Sequence, residues 1–181
     1  MNKKTILIDC DDTQTEFVRP LLNLYNNKHN DNLQFNDITD WQIHKFLKPT
    51  CKNIFQEFVN EQFIMDCFPI ANSVQVINRL HERYDIIFLS AVFHSNVSPR
   101  ANKLSSMFNW YDWSKNTIIA SRKDLIQGDI LIDDCFSNHS SSVSHSILMD
   151  RPWNEKYKLN KNMYRMNNWL DIEEKIYDLL G

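Results

Sequence analysis

Short apolar runs that end in acids or hydroxyls, separated by stretches of helical periodicity, set the strongest limit on how this chain folds. TILID (Thr5–Asp9), DIIFLS (Asp85–Ser90), NTIIAS (Asn116–Ser121), DILIDD (Asp129–Asp134) and HSILMD (His145–Asp150) all read as strands. Helical patterns are predicted over 16–28, 50–65, 73–83 and 99–108, and over the C-terminal NWLDIEEKIYDLL, with Ser73 as a candidate helix cap and MYRM (163–166) as a short edge strand. Strands alternating with helices predict an α/β core with a parallel sheet flanked by helices. The segment 14–69 breaks the alternation: it is helical around a polar loop, HNDNLQFNDITDW, and follows the first strand directly. It predicts a small helical cap (14–69) inserted into a core made of 1–13 and 70–181. The Ser-rich run 139–146 reads as a local loop and helix.

Composition removes several function classes. The chain has 181 residues, enough for one domain with a modest insertion, and a formal net charge of -3, which argues against a polymeric nucleic-acid partner. Only Gly128 and Gly181 are glycines, so no glycine-rich phosphate loop can be built. Cys10, Cys51, Cys67 and Cys135 contain no CxxC pair and read as reduced, mostly buried thiols. No apolar stretch is long enough to span a bilayer and the N-terminus lacks a signal-peptide pattern, so a cytoplasmic location is expected.

In an open parallel sheet, ligands bind at the carboxyl ends of the strands. There the sequence places Asp9 and Asp11 after the first strand, Ser90 after the second, Arg122 and Lys123 after the third, and Asp133 and Asp134 after the fourth. Several carboxylates at one place repel unless a cation sits among them, and oxygen-only ligands beside a phosphate favour Mg²⁺. Asp9 is the candidate nucleophile, since a carboxylate can form an acyl phosphate. Asp11, two residues on, is the candidate general acid and base. Ser90 and Lys123 are candidates for holding phosphoryl oxygens, with Arg122 an added anion contact. Asp9, Asp11, Asp133 and Asp134 are candidate metal ligands, with Asp133 alternatively a partner for Lys123. Each has a plainer reading. A DxD after a strand is common in turns, a strand-end serine usually bonds backbone, and a lone lysine is usually solvated. The four together, in order, outweigh those separate readings. Among the aromatics 17, 41, 46 and 63, Phe17 and Trp41 are the candidates for stacking on a ligand; the others read as core. His94 reads as solvent-facing or backbone-bonded, and Arg151 as a surface salt bridge.

These motifs resemble the haloacid dehalogenase superfamily: DxDxT at 9–13, Ser90, Lys123, and the acid pair of GDILIDD. Within it, SRK…GDILIDD, the insertion after the first motif, Phe17 eight residues after Asp9, and LMDRPWN (148–154) are similar to the 5'(3')-deoxyribonucleotidases. The resemblance implies a magnesium-dependent phosphatase acting on nucleoside monophosphates, preferably deoxyribonucleotides. The chain departs from that family in having Asp12-Thr13-Gln14-Thr15-Glu16 after the second acid, and Ala91 where a second hydroxyl is common. The rival readings are a phosphatase for sugar phosphates or other small phosphomonoesters, and a non-catalytic phosphate- or metal-binding module of the receiver kind. The latter needs no acid at position 11. The sequence leaves the oligomeric state open, a homodimer included.

Overall fold

The computed structural model describes residues 3–139 and 142–181. The six strands are β1 (Thr5–Ile8), β2 (Asp85–Ser90), β3 (Thr117–Ile119), β4 (Gly128–Asp133), β5 (Val143–Met149) and β6 (Met163–Met166). They form one parallel sheet in the order β3-β2-β1-β4-β5-β6. The expected parallel α/β core is therefore what the chain forms, with the short β6 at an edge. β1 lies between β2 and β4, and the chain winds outward from it in both directions. That makes the carboxyl end of β1 the switch point at which such sheets bind ligands.

Alternation along the strands sets the two layers. Ile6, Ile8, Ile86, Phe88, Ile130, Ile132, Ile147 and Met149 face one side. They pack there against α4 (Ser73–Arg83), α5 (Val97–Met107) and α7 (Trp169–Leu180) through Val76, Ile77, Leu80, Leu104, Trp169, Ile172 and Ile176. Leu7, Leu89 and Leu131 face the other side with Ile87, Ile118 and Val143. Strands this apolar on both faces are those of a sheet covered on both sides.

A second apolar cluster gathers residues that follow β1. Phe17, Leu21, Leu22, Tyr25, Ile38, Ile43, Ile54, Phe63 and Ile64 pack together, joined by Trp153 from the segment after β5. Three helices carry most of it: α1 (Val18–His29), α2 (Ile54–Phe58) and α3 (Glu61–Asp66). The Asp12 carboxylate caps α1, accepting from the backbone N–H of Phe17 at 3.2 Å and Val18 at 3.0 Å.

Three local expectations need correction. The single helix over 50–65 is two, because Asn60 caps a new one, its side chain accepting from Phe63 N at 3.0 Å. Asn72, at φ 66°, occupies the cap position of α4, while Ser73 donates its hydroxyl to Gln14 O at 3.0 Å. Within the Ser-rich run, residues 143–146 are strand rather than helix, paired with β4; Ser140 and Ser141 lie outside the described residues. One more short helix, α6 (Trp113–Asn116), leads into β3.

Trp169 ties α7 to the functional edge. Its ring is fully buried and its Nε1 donates to Thr13 O at 3.0 Å, fixing the turn after β1. Trp169→Phe keeps an aromatic ring but leaves that buried carbonyl without its donor. Urea unfolding is expected to show a loss of about 1–3 kcal/mol; unchanged stability would mean that the bond does not hold the turn.

Candidate active site

The site is assembled by β1 and β4 lying side by side. Their parallel register brings Ile8 opposite Ile132, so Asp9 and the pair Asp133-Asp134 emerge at the same edge. Asp9 N donates to Ile132 O at 2.9 Å, extending the ladder by one residue. Carboxylate oxygens of Asp9, Asp133 and Asp134 lie within 4.8 Å of one another, and all three residues are buried.

Lys123 lies among them. Its side chain is 5% exposed, and its ammonium donates to Asp9 Oδ1 and, at 3.0 Å, to Asp133 Oδ2. Asp133 also accepts from Cys135 N at 2.8 Å and from Asn138 Nδ2 at 3.0 and 3.1 Å. Of the two readings left open for Asp133, the geometry realises the ion pair with Lys123. Asp134 is placed differently: Trp153 Nε1 donates to its Oδ2 at 2.8 Å, while its buried Oδ1 has no hydrogen-bond partner among the described residues. The Ser90 hydroxyl is buried and likewise without a partner among the described residues.

Three carboxylates and one ammonium leave negative charge uncompensated. Burial pushes Asp9 up from its ordinary value, and Lys123 only partly offsets this. Asp134 is raised further, by burial and then by the charges of Asp9 and Asp133. Lys123 loses to burial but gains more from Asp9 and Asp133, and stays protonated. Buried polar atoms are nearly always paired. An orphaned carboxylate oxygen beside two further carboxylates therefore fits a hard divalent cation with oxygen ligands.

The Asp11 carboxylate stands apart from this cluster, so the geometry does not group it with the other three candidate metal ligands. Its carboxylate is drawn to the other wall by Arg100, whose Nη2 donates to Oδ1 at 2.5 Å. The chain reverses just after Asp11, at Asp12, which takes φ 53°. Burial raises Asp11 and the Arg100 charge draws it back, leaving it above its usual range.

Asp9, Asp11, Lys123 and Asp134 share the wall of a cavity of about 650 Å³ with Phe17 and Trp41. Phe17 is 8% exposed, stacked on Phe55 at 6.4 Å between ring centres and edge-on to Phe63 at 5.1 Å. Trp41 is 54% exposed and meets Trp153 at 6.5 Å. Arg122 is not brought to the site. Its side chain points to solvent and pairs with Asp124 at 2.7 Å, because the turn at 123–125 buries Lys123 and turns its neighbour out. Arg151 is no surface salt bridge: its Nε donates to Asp12 O at 2.8 Å and braces the turn. His94 is exposed, as read.

Sequence reasoning passed over Arg100, Asn138, Trp153 and Asn154. The signal for the last two was the LMDRPWN run: Asn154 Nδ2 donates to both Asp134 O and Met149 O at 2.8 Å, beside the Trp153 bond. All four cysteines are free and buried. Among the described residues no helix is long and apolar enough to cross a membrane.

The fold is of the haloacid dehalogenase type. Solved structures agree on the fold: a haloacid dehalogenase-like hydrolase of Burkholderia xenovorans superposes with TM-score 0.65 at 12% identity, covering 100% of both chains. A magnesium-bound hydrolase of the same type from Bacillus subtilis gives 0.59 at 14% identity, again over 100% of both chains. The chain belongs to the family described as 5' nucleotidase, deoxy (Pyrimidine), cytosolic type C, which matches residues 3–180, and is a phosphoric monoester hydrolase. The 5'(3')-deoxyribonucleotidases of Clostridium acetobutylicum and Bacillus subtilis are each 27% identical to it. The first covers 99% of this chain and 100% of its own length, the second 96% and 99%.

His139 offers a pH test of the site's packing. Its Nε2 lies 3.1 Å from Asp133 O, where a neutral ring donates, and burial pushes the imidazole down to about 4 from 6.5. A depressed folded-state value means that the neutral ring's contribution is complete above pH 6.5 and is lost as pH falls through about 4. Relative to the parent, His139→Gln is expected to flatten the stability profile in that window by about 1–3 kcal/mol. Parallel urea-unfolding profiles between pH 4 and 7 would contradict it.

Proposed function

We infer that the chain hydrolyses nucleoside monophosphates, preferably deoxyribonucleotides, through a phosphoryl group carried transiently on Asp9, in a Mg²⁺-dependent reaction. The observation that carries this reading is the buried cluster of Asp9, Asp133 and Asp134 around Lys123, with Asp134 Oδ1 unpartnered at the cavity wall. The relatives named deoxyribonucleotidases support the substrate class.

Asp9 and Asp134 supply the carboxylate oxygens that would hold Mg²⁺, with Asp133 beside them securing Lys123. When bound, Mg²⁺ offsets the charge of the phosphate and of the nucleophile, so that an anion can attack an anion. Lys123 and the free Ser90 hydroxyl hold phosphoryl oxygens. A carboxylate oxygen of Asp9 attacks phosphorus, the bond to the ester oxygen breaks, and Asp11 gives its proton to the departing alkoxide. Asp11 then takes a proton from water. The water oxygen bonds to phosphorus, the acyl-phosphate bond breaks, and free phosphate and the Asp9 carboxylate are restored.

Residues 14–69 act in this reading as a cap that selects the substrate. Phe17 and Trp41 offer aromatic faces to a nucleobase, and about 650 Å³ suits a ligand of nucleotide size. Four free thiols are consistent with a reducing cytoplasmic setting.

Released phosphate measured over a panel of deoxyribonucleotides, ribonucleotides and sugar phosphates tests the reading. Deoxyribonucleotides are expected to turn over fastest, chelation to abolish turnover, and Mg²⁺ to restore it. Asp9→Asn is expected to lower kcat by at least about 1,000-fold. Equal rates on sugar phosphates would remove the nucleotide assignment, and full activity in chelator would remove the metal.

A further inference from the structure

A general acid must present its proton from a fixed position, and the turn that carries Asp11 does not fix its carboxyl group. The turn is closed by its backbone, with Asp12 N donating to Thr15 O at 2.7 Å, and among the described residues the Asp11 side chain accepts one hydrogen bond. That bond is the 2.5 Å contact from Arg100 Nη2 to Oδ1. It leaves Oδ2 unbonded on a side chain that is 27% exposed and lines the cavity.

Arg100 stands on a helix that is itself tied down. It is 2% exposed and stands on α5 between two residues that grip the neighbouring helical segment. Asn96 Nδ2 donates to Val59 O at 3.3 Å and Lys103 Nζ to Met65 O at 2.7 Å. Positions 96, 100 and 103 share one helix face, so the backbone that carries Arg100 is fixed against the 59–65 segment on both sides of it. A buried guanidinium is costly unless paired, and Asp11 is the carboxylate it is paired with. Its fixed planar fork can orient a carboxylate as the point charge of a lysine cannot.

We propose that Arg100 is a positioning residue for the hydrolysis: it holds Asp11 by Oδ1 so that Oδ2 meets the leaving oxygen of the bound monoester. The inference rests on the reading of Asp11 as general acid.

The test compares kcat/KM for a deoxyribonucleoside monophosphate with that for p-nitrophenyl phosphate, in the parent, Arg100→Lys, Arg100→Met and Asp11→Asn. An alkoxide leaving group needs the proton and a nitrophenolate does not. Because kcat/KM ends with departure of the leaving group, the later hydrolysis step does not enter. Asp11→Asn is expected to lose 10²- to 10⁴-fold on the nucleotide, on the order of a general-acid contribution, and about threefold or less on the aryl ester. Both Arg100 variants are expected to lose selectively as well, by roughly 10- to 100-fold on the nucleotide. Should Arg100→Met fail to fold, Arg100→Lys, which keeps the charge, carries the comparison. Parallel losses on both substrates, or no loss on the nucleotide, in the Arg100 variants while Asp11→Asn remains selective would overturn the role of Arg100 alone. Equal losses for Asp11→Asn itself would overturn the general-acid reading.

Discussion

Everything at this site follows from placing three carboxylates and one ammonium where little water reaches. Asp9, Asp133 and Asp134 are buried at one sheet edge, and Lys123 bridges the first two. Such a cluster costs free energy in proportion to the charge left over. The fold tolerates it because each carboxylate has an assigned partner: Lys123 for Asp9, Lys123 with Cys135 N and Asn138 for Asp133, and the Trp153 indole for half of Asp134. The remaining oxygen of Asp134 is the place where compensation is missing. On the proposed reading, in which a dianionic ester binds beside a carboxylate nucleophile, that gap is where a divalent cation would act.

The parallel sheet makes this crowding unavoidable. β1 hydrogen-bonds to both β2 and β4, so the residues after Ile8, Leu89 and Ile132 come together with no freedom to separate. The same geometry explains what was legible in the sequence. A short apolar run followed by an acid marks a strand end, and Asp9, Ser90, Asp133 and Asp134 were found that way. Lys123 was found by its place after the third strand. Arg122 was misjudged because adjacency in sequence carries no direction: a tight turn buries one side chain and exposes the next. The side chain of Asp11 was grouped with the other acids by its nearness to Asp9 in the chain, and that nearness does not register the bond by which Arg100 holds its carboxylate.

What stayed hidden is what tertiary packing alone decides. Arg100 lies on a helix whose pattern shows only that one face is buried, not that the buried face carries a charge to Asp11. The break in the 50–65 helix depends on Asn60 capping locally, a competition that apolar periodicity does not register. Trp153 was visible as part of a run of residues, but its double duty was not. It belongs to the apolar cluster of the inserted helices and at the same time donates to Asp134. That single ring joins the cavity wall, where Trp41 meets it, to the acid at the foot of the cavity.

The central claim is that Asp9 itself becomes phosphorylated. Rapid acid quench of a reaction with substrate labelled in its phosphate, followed by digestion and peptide mapping, tests it most directly. The account predicts label on the peptide that contains Asp9, released by hydroxylamine as an acyl phosphate is. Full turnover with no label trapped on the protein, or label on any other residue, would contradict it.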